Sequence, residues 1–223
     1  MNKCDEHIEM HTRERNLQRK GCAFTALERC TRVPMVVGFN LSATLNVVRL
    51  FKDPKLCIPS VKYANFNEMK LPFPGHIKAV VLDKDNCFAK PHDDKVWPEY
   101  SEQWERLKGM YPGARMLIVS NSAGTDDDVG HKQAKILKQQ TGVPVLCHSV
   151  KKPGCHEEIM EYFRRNDVCE QASQVAVVGD RLFTDVVMAN TMGAYSVWLH
   201  DGVIKSSNPF VLLEQQVYRW ISK

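Results

Sequence analysis

No stretch of about 18 consecutive apolar residues occurs in this chain, so no transmembrane helix is expected. The nearest candidate, Val33 to Phe51, is broken by Pro34, Gly38, Asn40 and Asn46. Nothing resembling a secretory signal opens the sequence, and its eight cysteines include no Cys-x-x-Cys pair. Reduced thiols are therefore expected rather than a disulfide framework. The dipeptides Cys147-His148 and Cys155-His156 lack the paired spacing of a structural zinc knuckle, and Cys4, His7 and His11 share only helical spacing. No cysteine stands six residues before an arginine, which excludes a cysteine-phosphatase loop. A large charge excess is missing too. The net charge of +4 suits an anionic substrate or an acidic membrane surface but is too small to point to nucleic acid.

What is present reads as a folded domain with an appendage, since 223 residues suffice for one sizeable core. Residues 1–39 are polar and charged, with Asp5, Glu6, Glu9, Glu14 and Glu28 among seven basic residues. They read as an N-terminal extension, either a targeting segment or a disordered tail, although transit peptides are poor in acids. Residues 40–75 form a second section. Its "NLSATLNVVRLF" sets Leu41, Leu45 and Val48 on one helical face with Arg49 and Lys52 at the end. Such a helix can lie on a lipid surface or pack on its own domain. Pro54, Pro59, Pro72 and Pro74 then indicate an irregular linker.

From residue 76 to 223 strand and helix patterns alternate. Strands are expected at His76–Leu82, Ala114–Ser120, Val143–His148, Gln174–Gly179 and Ala194–Leu199. Helices are expected at Pro98–Gly109, Val129–Thr141, His156–Asn166, Leu182–Met192 and Pro209–Ser222, the last with Phe210, Leu213, Val217 and Trp220 on one face. The alternation predicts an α/β fold, Rossmann-like, with a parallel sheet and helices on both faces.

Ligands of such sheets bind beyond the carboxyl ends of the strands. There the sequence sets Asp83 and Asp85 after one strand, Ser120 after the next, Lys151 and Lys152 after the third, and Asp180 with Asp185 after the fourth. Each alone is weak, because DxD is usually a turn and a serine after a strand usually a helix cap. Together they are what covalent phosphoryl transfer needs. Clustered carboxylates require a hard cation such as Mg²⁺. One carboxylate attacks phosphorus while another handles protons, and a hydroxyl and an ammonium hold the phosphoryl oxygens.

This ordered set resembles the haloacid dehalogenase (HAD) superfamily of phosphatases over roughly Ile77 to Leu199. The resemblance implies that Asp83 is the nucleophile and Asp85 the general acid/base. Asp83, Asp180 and the carbonyl of Asp85 would bind Mg²⁺, with Asp185 ligating or orienting. Ser120, the Asn121 amide and Lys152 would grip the phosphate, Lys152 being preferred to Lys151 because it directly precedes proline. Cys87 stands where many relatives have Thr or Val. The gaps from Asp85 to Ala114 and from Ser120 to Lys152 hold no extra domain, so the enzyme is expected to be capless, with a site open to a large or surface-bound phosphomonoester.

"NLSATLNVVRLF", "VLDKDNC", "VSNSAG", "KKPG" and "GDRLFTDVVMANTMGAYSVWL" together are similar to the mitochondrial phosphatidylglycerophosphatases of this superfamily. That likeness implies hydrolysis of phosphatidylglycerophosphate to phosphatidylglycerol, on the route to cardiolipin. It also implies a peripheral position on the anionic matrix face of the mitochondrial inner membrane, with a soluble cytoplasmic protein as the alternative. Other readings are a capless phosphatase acting on phosphoprotein, a polynucleotide end or a sugar phosphate, and a receiver-like module that accepts phosphate on aspartate. Asp85 opposes the last, since a durable phospho-aspartate does not belong beside its own general base. No nucleic-acid partner is expected, and nothing in the pattern fixes an oligomeric state.

Overall fold

Val80 and Val81 flanked by Ala79 and Leu82 leave no polar face to present to water, and Ala79–Leu82 is accordingly a fully buried central strand. Parallel strands covered on both faces have this uninterrupted apolar character. In the computed structural model, which describes residues 53–222, this strand (β2) is joined by β1 (Val61–Tyr63), β3 (Met116–Ile118), β4 (Val175–Gly179) and β5 (Tyr195–Leu199). The five form one sheet in the order β1-β5-β4-β2-β3, and every pairing is parallel. The α-helices are α1 (Ser101–Met110), α2 (Lys132–Thr141), α3 (His156–Arg165), α4 (Val187–Met192) and α5 (Pro209–Ile221). The expected helix at Leu41–Phe51 and the extension 1–39 lie outside the described residues.

Alternate strand residues serve opposite faces. Val80, Leu82 and Ile118 pack with Trp104 and Leu107 of α1 and Leu137 of α2. Val81, Leu117 and Val177 pack with Ile159 and Phe163 of α3 and Met188 of α4. The sheet is thus covered on both sides, as the alternating pattern predicts.

Three local features differ from the sequence reading. The proline-marked linker contains β1, which pairs with β5 (Val61↔Val197). Three residues at a sheet edge are too short to announce themselves by periodicity. Val143–His148 is no strand. Val145 makes a single bridge to Ile118, through Ile118 N–H to Pro144 O and Leu146 N–H to Ile118 O. Pro144 has no N–H to extend the ladder, and His148 N–H turns away to Gly124 O. The expected helix Leu182–Met192 opens with a wide turn, Leu182–Val186, in which Val186 N–H reaches back to Arg181 O before α4 begins. Such π-type turns recur at functional sites, and this one carries Asp185.

The chain passes from β2 to β3 on one side of the sheet, then crosses to β4 on the other. The crevice for a ligand therefore opens at the carboxyl ends of β2 and β4. No domain is inserted between Asp85 and β3, which are separated by α1, or between Ser120 and Lys152, which are separated by α2.

Candidate active site

Asp83 continues β2 by one residue, its N–H bonding Val178 O, so its side chain emerges at the crevice. Asp180 directly follows β4. The wide turn brings Asp185 back beneath both. Carboxylate oxygens of Asp83, Asp180 and Asp185, all three buried, lie within 4.8 Å of one another. Lys152 Nζ enters this group, donating to Asp83 Oδ1 at 2.6 Å and to Asp185 Oδ1 at 2.7 Å. Lys151, by contrast, points outwards and pairs with Asp127 at the surface. Asn121 lines the same cavity and fixes the lysine loop, accepting Lys152 N–H on Oδ1 at 2.7 Å.

Ser120 is fully buried, and its Oγ accepts the N–H groups of Ser122 and Ala123. It shapes the turn after β3, and Ser122 Oγ reaches Asp85 Oδ2 at 3.4 Å. The Asp85 carboxylate stands apart from the buried trio. Its Oδ1 receives Lys84 Nζ at 2.7 Å and His92 N–H at 2.8 Å, and the side chain is 34% exposed. Of the seven site residues read from the sequence, Asp83, Asp85, Asn121, Lys152 and Asp180 line one cavity. Asp185 meets it through Lys152, whereas Ser120 lies buried in the adjoining turn. The carboxylate cluster is Asp83, Asp180 and Asp185, and the Asp85 carboxylate is not part of that cluster.

Several contributors were not singled out from sequence. Asn86 adopts φ 59°, a left-handed conformation that Asn tolerates. From there its Nδ2 donates to Asp180 Oδ2 at 3.1 Å while its Oδ1 accepts Ile204 N–H. Gly179 leaves room for Asp185, because a Cβ at that position would lie 2.3 Å from the Asp185 carboxyl. Arg181 N–H holds Asp185 Oδ2, and the Arg181 side chain forms a two-pronged bond to Glu214 on α5. The adjacency of Asn86 and Gly179 to the motif acids was a usable signal. Glu214, some 30 residues downstream in an amphipathic helix, offered none. Cys87 is buried in the core, where its Sγ faces Val178 O, so this departure from the superfamily pattern is a packing residue.

The cluster is over-supplied with negative charge, three carboxylates to one ammonium. Burial, reinforced by Asp185 and opposed by Lys152, pushes Asp83 up to about 6. Burial, then Asp83 and Asp185, raises Asp180 well above the carboxylate range. Burial works against the charge of Lys152, but its two carboxylate partners outweigh this and raise it. Asp180 Oδ1 is buried and has no hydrogen-bond partner among the described residues. An orphan carboxyl oxygen among oxygen donors fits a hard divalent cation, which Asp83, Asp180 and Asp185 would hold as carboxylates once it displaced their protons.

These shifts carry a sign. Folding holds protons on Asp83 and Asp180 that the unfolded chain releases near pH 4. In chelator, stability should therefore fall as pH rises from about 4 through about 6, because the folded state binds more protons across that window. Added Mg²⁺ should raise the melting temperature more at a pH of about 7.5 than at about 5. Thermal unfolding over that range with and without EDTA reads the difference, and a cation effect independent of pH would contradict the cluster's electrostatics.

Known proteins are similar to this chain over most of its length. The sequence profile of the mitochondrial PGP phosphatase family matches residues 41–204. This chain belongs to that family. It is 53% identical over 182 residues to the mitochondrial phosphatidylglycerophosphatase GEP4 of Saccharomyces cerevisiae, covering 82% of this chain and 98% of the relative. It is 31% identical to the probable mitochondrial phosphatidylglycerophosphatase of Schizosaccharomyces pombe, over 82% and 92% of the two chains. At 25% identity it also matches the probable phosphatase YqeG of Bacillus subtilis, over 66% and 77%. For a PGP phosphatase of this family the fold is the HAD-like parallel α/β sheet, and the aspartate cluster makes it a metal-dependent type of site.

Proposed function

We propose that this PGP phosphatase family member hydrolyses phosphatidylglycerophosphate to phosphatidylglycerol and inorganic phosphate, with Mg²⁺, through an aspartyl-phosphate on Asp83. The observation that carries the reading is the buried Asp83–Lys152–Asp185 contact beside Asp180, at the sheet's switch point. The names of the relatives support the substrate and a mitochondrial setting.

Asp83 is the nucleophile because it stands at the crevice with its Oδ1 held by Lys152. Its carboxylate attacks phosphorus, and the lipid glycerol oxygen departs with a proton from Asp85. Asp85 then takes a proton from water as that water attacks the aspartyl-phosphate, which frees phosphate and restores both acids. Asp85 suits this role, being partly exposed and steered by Lys84 and His92 N–H. Lys152, 2.6 Å from the nucleophile, balances phosphoryl charge, and Asn121 keeps its loop in place. Asp83, Asp180 and Asp185, with the Asp85 carbonyl, would hold Mg²⁺, which when bound neutralises phosphoryl charge. The site cavity, about 820 Å³, is walled on one side by residues 204–211, so a phosphorylated headgroup fits without a cap. A bilayer then has to present the substrate. We place the protein peripherally on the anionic matrix face of the mitochondrial inner membrane. The names of the relatives support the mitochondrial setting, and among the described residues no helix is long and apolar enough to cross a membrane.

The test is phosphate release from vesicle-borne phosphatidylglycerophosphate compared with a phosphopeptide, a 5′-phosphorylated oligonucleotide and a sugar phosphate, each with Mg²⁺ or chelator. Preference for the lipid and silence in chelator are expected. Preference for one of the other substrates would overturn the substrate, and full turnover in chelator would overturn the mechanism.

A further inference from the structure

The apolar stripe of α5 does not face the domain. The helix packs through Val211, Glu214, Tyr218 and Ile221, whereas Phe210 is 66% exposed, Leu213 48% and Trp220 75%. These three lie along one flank, since residues spaced 3 and 7 apart share a side of a helix. Ile204, in the loop before α5, is 48% exposed. The stripe is continuous with the active-site mouth, because Ile204, Lys205 and Phe210 line the cavity that holds Asp83.

Charge sorts the same way. The one carboxylate of α5, Glu214, is turned inwards and bound to Arg181 and to Leu182 N–H. The outer surface keeps Arg219, and Lys205 is exposed at the rim. An apolar strip with basic ends and no outward acid matches an anionic lipid surface.

We infer that the outer flank of α5, with Ile204 and Lys205, is the face on which this protein docks to an anionic bilayer. Docking there brings the headgroup phosphate to Asp83 while the acyl chains stay in the membrane. This choice of occupant rests on the lipid-phosphatase reading, but the surface itself can be tested without catalysis. Glu214 links the docking helix to the loop that carries Asp180 and Asp185, so the helix is held in fixed relation to the site.

The test uses the full chain and the double variant Leu213→Asp/Trp220→Asp, neither residue lining the cavity. Flotation with vesicles of phosphatidylcholine and cardiolipin measures binding. Phosphate release is measured from para-nitrophenyl phosphate and from vesicle-borne lipid phosphate. Each large apolar side chain withdrawn from water favours the bound state by roughly tenfold, so the double variant should bind roughly 10- to 100-fold more weakly. Turnover of vesicle-borne substrate should fall with binding, and turnover of the soluble ester should stay within about twofold. Leu213→Ser/Trp220→Ser serves if the aspartates prevent folding. Undiminished flotation of a folded variant overturns the inference. So does a change from dimer to monomer with unchanged flotation, which makes the stripe an interface between copies. If the parent chain floats, the folded variant does not, and neither releases phosphate from any substrate, the proposed function fails and the docking face stands.

Discussion

Asp83→Asn should leave a folded protein that releases no phosphate above background. Loss of a nucleophile typically costs on the order of 10⁵- to 10⁶-fold in turnover, because no other group supplies the attacking atom. The amide is nearly isosteric and still offers an oxygen to Lys152 Nζ, so the loop around Lys152 should hold. The substitution also removes one charge from a cluster in which burial already pushes Asp83 up to about 6. In chelator at neutral pH the variant should therefore melt no lower than the parent chain, and its gain in melting temperature on adding Mg²⁺ should shrink. Steady-state phosphate release and thermal unfolding check both halves. Activity near that of the parent would remove Asp83 from the reaction, and a collapse in stability would make it a structural residue.

Asp85→Asn should separate turnover from cation binding. The Asp85 carboxylate is occupied by Lys84 and His92 N–H and does not belong to the buried trio. An amide there cannot carry a proton between the leaving oxygen and water, and general acid–base contributions are typically about 10²–10⁴-fold. The Mg²⁺-dependent rise in melting temperature should be unchanged, since the Asp85 carboxylate lies outside the buried trio. Accumulation of phosphate on Asp83, seen by intact mass after a quenched reaction, would show that the second step suffers with the first. An equal loss of cation response and activity would make Asp85 a ligand through its side chain.

Both predictions rest on residues that the sequence exposes plainly. Ala79–Leu82 running into Asp83 announces a buried strand and what it delivers, because an unbroken apolar run has no stable place except inside a parallel sheet, with its end at the ligand edge. The same reasoning finds Ser120 and Asp180, and the wide turn carrying Asp185 was legible as a helix start. Four acids, a serine and a lysine in fixed order are a local pattern, and local pattern is what a sequence displays.

What the sequence left undecided is whatever depends on elements meeting across the fold. Which of two adjacent lysines enters the site follows from the path of the loop that Asn121 pins, a contact spanning 31 positions. The separation of Asp85 from the other three acids comes from Lys84, which is buried and pulls that carboxylate aside. Asn86, Gly179 and Glu214 matter through single close approaches to Asp180, Asp185 and Arg181, and such approaches leave no periodic trace. Periodicity did show a stripe on α5, yet only the tertiary structure decided that it faces outwards. An amphipathic helix buries whichever flank its neighbours can satisfy, and here Arg181 takes Glu214 inwards and leaves Phe210, Leu213 and Trp220 to the solvent side.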